Sequence, residues 1–135
     1  MSSWDFTTLG STMLSLTTDP GVPFLSSVGL RLDVAGAESN CAIALARLGK
    51  RASWHSKVAR GTLGERVVSG VQAHGVDVSS VIRSDEGRTE QMWVEAGLGD
   101  NLTSITYDRD GASVAGLRID ELDLHSLHDS QYFHA

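Results

Sequence analysis

The stretch Ala35-Gly36-Ala37-Glu38-Ser39-Asn40-Cys41-Ala42-Ile43-Ala44-Leu45-Ala46-Arg47-Leu48-Gly49 sets the architecture of this chain. Three small residues lead into a segment whose apolar positions, Ala42, Leu45, Ala46 and Leu48, fall at helical spacing. Arg47 stands in the last turn, Gly49 follows as a C-terminal cap, and Lys50 and Arg51 lie just beyond. A helix is therefore expected to start near residues 38–40 and to stop at Gly49. Small residues at 35–37 let a backbone approach a ligand closely, and a helix start presents free N–H groups. By spacing alone, a tight strand-to-helix turn in which Asn40 or Ser39 caps the helix explains the same residues.

Outward from this stretch, residues 27–34 alternate as a strand, with Val28, Leu30, Leu32 and Val34 on one face. Residues 19–23 form a turn, because Pro20 and Pro23 refuse ladder hydrogen bonds and Gly21 permits positive φ. Residues 6–16 are extended around Gly10. On the other side, 52–58 is a short strand. A second helix opens at Thr62, with Thr62-Leu63-Gly64-Glu65 as a capping box, Leu63, Val67, Val68 and Val71 as its apolar face, and Gly75 as its end. Residues 76–78 and 81–82 are short and extended. Residues 89–95 and 103–107 are the arms of a hairpin whose connection, 96–101, is longer than a tight turn. A third helix is expected from Asp120, with Leu122, Leu124 and Leu127 apolar, and 131–135 reads as a strand. Alternating strands and helices predict a mostly parallel α/β sheet. The strand pairs without helices between them predict a small accessory sheet beside it.

With 135 residues the chain suits one domain, 1–135. A formal net charge of -6 argues against a sequence-independent grip on nucleic acid, and the scattered Lys and Arg argue against a membrane surface. Cys41 is the only cysteine, which excludes an intramolecular disulfide, and it reads as a small buried thiol in a reducing compartment. Met1-Ser2-Ser3-Trp4-Asp5 has no basic segment and no long apolar run, so no secretory leader is expected there and a cytoplasmic address follows. His125-x-x-His128 shares a helix face, but the pair lies on a polar helix without further ligands in fixed positions, so no metal site is expected.

Gly36-Ala37-Glu38-Ser39-Asn40 followed by Ala-x-x-Leu-Ala-Arg-Leu-Gly resembles the N-terminal signature of the PfkB-type, ribokinase-like carbohydrate kinases. Glu38 within it, Thr8-Leu9-Gly10-Ser11-Thr12-Met13-Leu14, Ala73-His74-Gly75-Val76-Asp77 and Ile105-Thr106-Tyr107-Asp108-Arg109-Asp110-Gly111 are similar to the 2-keto-3-deoxygluconate kinase branch. The likeness runs through nearly the whole chain in order. It implies a mostly parallel α/β sheet with a small β lid, the lid segments lying near 13–35 and 88–109. It also implies a substrate-binding set: Gly36, Ala37 and Asn40 at the helix entry, with Met92, Tyr107 and Arg109 from the lid. Asn40 carries both donor and acceptor, as a sugar hydroxyl requires. An arginine such as Arg109 can give a sugar carboxylate two parallel N–H bonds. The partner implied is a small sugar or sugar acid, with self-association through the lid or an open sheet edge.

Three positions depart from the family pattern. Ala35 stands for the first of two paired glycines. Val58-Ala59-Arg60-Gly61-Thr62-Leu63-Gly64 replaces a Gly-x-Asp-x-x-Gly segment. Met92 stands where the keto-deoxy-sugar branch has a tyrosine. Gly97-Leu98-Gly99-Asp100 imitates the family's catalytic Gly-Ala-Gly-Asp, yet that loop must open a helix to aim N–H groups at a moving phosphoryl group. Here it sits in a hairpin connection and reads as a turn. No catalytic residue is therefore expected in this chain. The resemblance implies ATP and Mg²⁺ for the complete enzyme, neither expected to bind this chain tightly, and an N-terminal portion that ends before the phosphoryl-transfer residues. A stand-alone module binding a sugar or a subunit, or a kinase of a neutral sugar such as fructose or ribose, are the alternatives.

Overall fold

The structure is a computed structural model that describes residues 3–135; Met1 and Ser2, part of the stretch inspected for a leader, lie outside the described residues. Among the described residues, nine strands and three α-helices follow in the order β1 (Trp4–Leu9), β2 (Met13–Thr17), β3 (Arg31–Ala35), α1 (Ala37–Arg47), β4 (Ala52–His55), β5 (Lys57–Ala59), α2 (Thr62–Gln72), β6 (Ile82–Ser84), β7 (Gln91–Glu95), β8 (Ser104–Asp108), α3 (Leu124–His128) and β9 (Ser130–His134), with two 3₁₀ turns between β8 and α3. One sheet is parallel, in the order β4-β1-β9, and a further parallel pair joins β5 to β6. The accessory sheet runs β3-β2-β7-β8, with β2 antiparallel to β3, parallel to β7, and β7 antiparallel to β8. All four of its strands lie within the segments 13–35 and 88–109.

The core forms where α1 and α2 lay apolar stripes on these sheets. Val67, Val68 and Val71 of α2 meet Trp54, Val58, Val76 and Val78, and Leu14 of the accessory sheet joins the same cluster. Each such buried side chain contributes on the order of 1.5–3 kcal/mol relative to exposure. Helix α1 ends as expected. Gly49 has φ +81, its N–H donates to the Ala46 carbonyl at 2.9 Å, and Lys50 N–H reaches the Leu45 carbonyl at 3.0 Å, which is a Schellman closure.

Several local expectations are corrected. The strand after the proline turn begins at Arg31 rather than residue 27, and Val28 is fully exposed, because only from Arg31 does β2 offer a ladder partner. The extended stretch 52–58 breaks at Ser56 into β4 and β5, which join different sheets. Thr62 does not cap α2. It is the first helical residue, Gly61 is the cap, and Glu65 pairs with Arg83 at 3.1 Å instead of reaching back. Leu63 is half exposed, off the buried Val67–Val71 stripe, and Leu48 is likewise exposed after α1. The third helix covers only Leu124–His128, because Asp123 is its N-cap, accepting from Ser126 N–H at 3.0 Å. Cys41 is exposed, since the buried side of α1 is Ser39 and Ala42.

Candidate functional site

Gly10-Ser11-Thr12, the link between β1 and β2, is where sequence-distant candidates converge. Trp54, fully buried on β4, donates its indole N–H to the Gly10 carbonyl at 3.1 Å, and Gly10 N–H donates to the His55 carbonyl at 3.2 Å. The link is thus pinned to the parallel sheet. The Glu38 side chain lies over Gly10 closely enough to leave no room for a Cβ there. Thr12 is buried, and its Oγ1 has no partner among the described residues.

The entry to α1 packs on the same link. Gly36 is the N-cap, in extended backbone that any residue adopts, and no side chain caps the helix. Its carbonyl accepts from Asn40 N–H at 2.8 Å and from Ser39 Oγ at 3.2 Å. A Cβ at Gly36 would overlap the Ser11 carbonyl oxygen. Neither Asn40 nor Ser39 is the cap that spacing allowed. Asn40 and Ala37 are exposed in the first turn.

From the other side comes the end of the β7–β8 pair. Arg109 Nε donates to Glu90 Oε2 at 2.8 Å, and its Nη2 donates to Ser11 Oγ at 3.1 Å. Gly36 and Arg109 therefore meet at Ser11. Glu90 is buried, and its carbonyl also accepts from Leu14 N–H at 3.0 Å. The next cross-strand pair is Met92 opposite Tyr107, flanked by Ser15, which pairs with Asp33. Residues two apart on a strand share a face. One face of the accessory sheet thus carries Ser15, Asp33, Glu90, Met92, Tyr107 and Arg109. The opposite face carries Leu14, Leu16 and Val34, packed on the core. A sheet apolar toward its helix and polar on the other face presents hydroxyl and charged groups to a polar ligand. Arg88 pairs with Asp108 and donates from Nε to the Asp110 carbonyl at 2.7 Å, which braces the strand end beside Arg109.

Glu90, Ser11 and Thr12 were not singled out by sequence. The available signal was parity: Glu90 falls on the same face of the sheet as Met92, which lies opposite Tyr107 and so beside Arg109, the cation a carboxylate there would pair with.

His55 ends β4 fully buried. Its Nδ1 has no partner among the described residues, and Nε2 lies 3.5 Å from Ser126 Oγ. Burial pushes the imidazole below its ordinary value of 6.5, and the charges of Asp123 and Asp77 only partly oppose that. Gly97-Leu98-Gly99-Asp100 lies in the β7–β8 loop, where β8 and not a helix follows. His125 and His128 are exposed, and the described residues hold no group of three or more His, Cys, Asp or Glu suited to a metal. No helix among them is long and apolar enough to cross a membrane.

The model of the pfkB family of carbohydrate kinases matches residues 13–134. The 2-dehydro-3-deoxygalactonokinase of Haloferax volcanii is 35% identical over 130 residues, covering 96% of this chain and 41% of that protein. Among solved structures, the PfkB protein of Polaromonas sp. JS666 superposes with a TM-score of 0.88 at 27% identity, over 98% of this chain and 44% of that one. The 2-dehydro-3-deoxygluconokinase of Thermotoga maritima does so with a TM-score of 0.90 at 23% identity, over 96% of this chain and 40% of that one. The chain spans about two fifths of the length of these relatives.

Proposed function

Because this chain belongs to the pfkB family of carbohydrate kinases, with the ribokinase-like α/β fold, we propose that it is the sugar-holding portion of an ATP-dependent kinase whose substrate is a 2-keto-3-deoxy sugar acid. The observation that carries this reading is the placement of Arg109. Its guanidinium is half exposed on the polar face of the accessory sheet, beside Tyr107, with both Nη1 hydrogens and one on Nη2 unengaged among the described residues. Two parallel N–H bonds from such an edge suit a carboxylate. The Haloferax volcanii relative is named for a substrate of this class. In this reading the accessory sheet is the lid, Met92 and Tyr107 line it, and Gly36, Ala37 and Asn40 present the helix entry to the sugar hydroxyls.

In the complete enzyme ATP supplies the phosphoryl group and Mg²⁺ offsets its charge. The described residues do not fit the nucleotide, since the Gly-x-Gly-Asp of this chain lies in the β7–β8 loop and is followed by a strand rather than a helix. By itself the chain is expected to release no ADP in the presence of sugars. The test of the reading is calorimetric titration of the 135-residue chain with 2-keto-3-deoxygluconate and with D-fructose. Loss of a charged hydrogen-bonded contact corresponds to about 1.5–3 kcal/mol. Arg109→Ala should therefore weaken the acid by roughly 10- to 150-fold and leave fructose unchanged, and Arg109→Lys should recover part of the loss. Equal weakening of both sugars overturns the acid assignment, and the absence of any sugar binding overturns the sugar-holding role.

A further inference from the structure

We propose that Glu90 is a positioning residue for Arg109, holding its guanidinium by the Nε side so that the far edge is presented to a ligand carboxylate. This rests on the reading of Arg109 as the acid anchor. A guanidinium has five N–H donors in a rigid fork. Glu90 Oε2 takes the one on Nε at 2.8 Å and Ser11 Oγ takes one on Nη2 at 3.1 Å. These two contacts fix both the distance and the roll of the fork, and they leave both Nη1 hydrogens and one on Nη2 without a partner among the described residues.

The burial of the two partners is unequal. The Glu90 side chain is 5% exposed, that of Arg109 55%. The anchored carboxylate is the immobile member, and a long exposed side chain is held against it. A buried carboxylate without a cation is strongly disfavoured, and Arg109 is the ionic partner of Glu90 among the described residues. Ser11 is itself fixed, because its carbonyl abuts Gly36 and its neighbour Gly10 is bonded to Trp54 and His55. Arg109 is therefore clamped between a buried strand residue and the pinned link, and a ligand carboxylate meets an arginine that has already lost its rotamer freedom. Glu90 also carries a like charge toward the ligand. Positioning outweighs that repulsion because the ligand takes the opposite edge of the guanidinium, at a half-exposed site where solvent screens.

The test separates the acceptor from the charge. Glu90→Gln keeps an acceptor and removes the charge. Glu90→Ala removes both, and Glu90→Met does so at nearly unchanged volume where alanine does not fold. In the ligand-free chain, the ¹⁵N signal of Arg109 Nε–H, assigned by its loss in Arg109→Lys, should be protected from exchange in the wild type and in Glu90→Gln. It should collapse into the solvent-exchanging envelope in Glu90→Ala and Glu90→Met. Affinity for 2-keto-3-deoxygluconate should fall about ten-fold in the latter two, with D-fructose unmoved and most of the loss restored in Glu90→Gln. An Nε–H signal indifferent to all three changes overturns the proposal. So does tighter acid binding in every variant, which would make Glu90 a competitor of the ligand. A wild-type chain that binds no sugar removes the acid-anchor reading, and the Nε–H comparison still decides whether Glu90 holds Arg109.

Discussion

Gly36→Ala is the substitution that best separates a glycine kept for a ligand from a glycine kept for the chain itself. The backbone at Gly36 is extended, with φ -167 and ψ 143, so alanine meets no conformational strain. Its Cβ would overlap the Ser11 carbonyl oxygen and lie 2.9 Å from Thr12 Oγ1 and 3.0 Å from Ser39 Oγ. All three neighbours are held, Ser39 by the buried face of α1 and Ser11 and Thr12 by the pinned link. Overpacking of a filled interior costs about 1–3 kcal/mol. Alanine is also a poorer N-cap than glycine, which adds up to about 1 kcal/mol. A loss of roughly 1–4 kcal/mol is expected, a large part of the ~5–15 kcal/mol that stabilises an ordinary domain. For a chain of this length that lowers the melting temperature by roughly 4–15 °C. Thermal and urea unfolding followed by circular dichroism measure it. Gly29→Ala is the control, because nothing lies within 4 Å of its Cβ position and its φ is not positive; it should stay within about 0.5 kcal/mol. If Gly36→Ala unfolds together with Gly29→Ala but loses sugar affinity, the packing argument is refuted and the glycine is kept clear for a ligand.

Stability should also depend on His55. Its folded pKa lies below 6.5, so the unfolded chain takes up a proton that the folded chain refuses. The stability it supports is fully present above the ordinary value and declines as pH falls below it. Urea midpoints between about pH 5 and 8 should show that decline, and His55→Gln should flatten it; an unchanged slope contradicts the reading. Strand β9 is the outer strand of the order β4-β1-β9, with Tyr132 68% and Phe133 53% exposed, and an open apolar edge is a template for pairing. Light scattering across a dilution series should find dimers or larger species that Phe133→Lys shifts toward monomer, and a monomer at every concentration refutes the edge as a contact.

The sequence by itself determined the order and kind of nearly every element. Period is a local property, and helix α1, the β7–β8 hairpin and strand β9 follow from spacings and turn residues that act within a dozen positions. It also carried the family resemblance, because the Gly-Ala-Glu-Ser-Asn entry and the Tyr-Asp-Arg-Asp-Gly segment each lie within one short run. Where local signals misled, a partner distant in sequence decided. Residues 27–30 alternate as well as 31–35, but only the latter lie opposite β2. Thr62 and Glu65 form a capping pattern, but Arg83 draws Glu65 away. The clamp on Arg109 was closed to sequence for the same reason. The resemblance implied that Arg109 reaches a substrate, but its neighbours Asp108 and Asp110 give no hint that its bonds run to Glu90, 19 positions away, and to Ser11, 98 away. Only the pairing of β2 with β7, and of β7 with β8, brings those residues within a hydrogen-bond length, because a cross-strand register is set by burial and turn geometry over the whole sheet and leaves no mark at any one position.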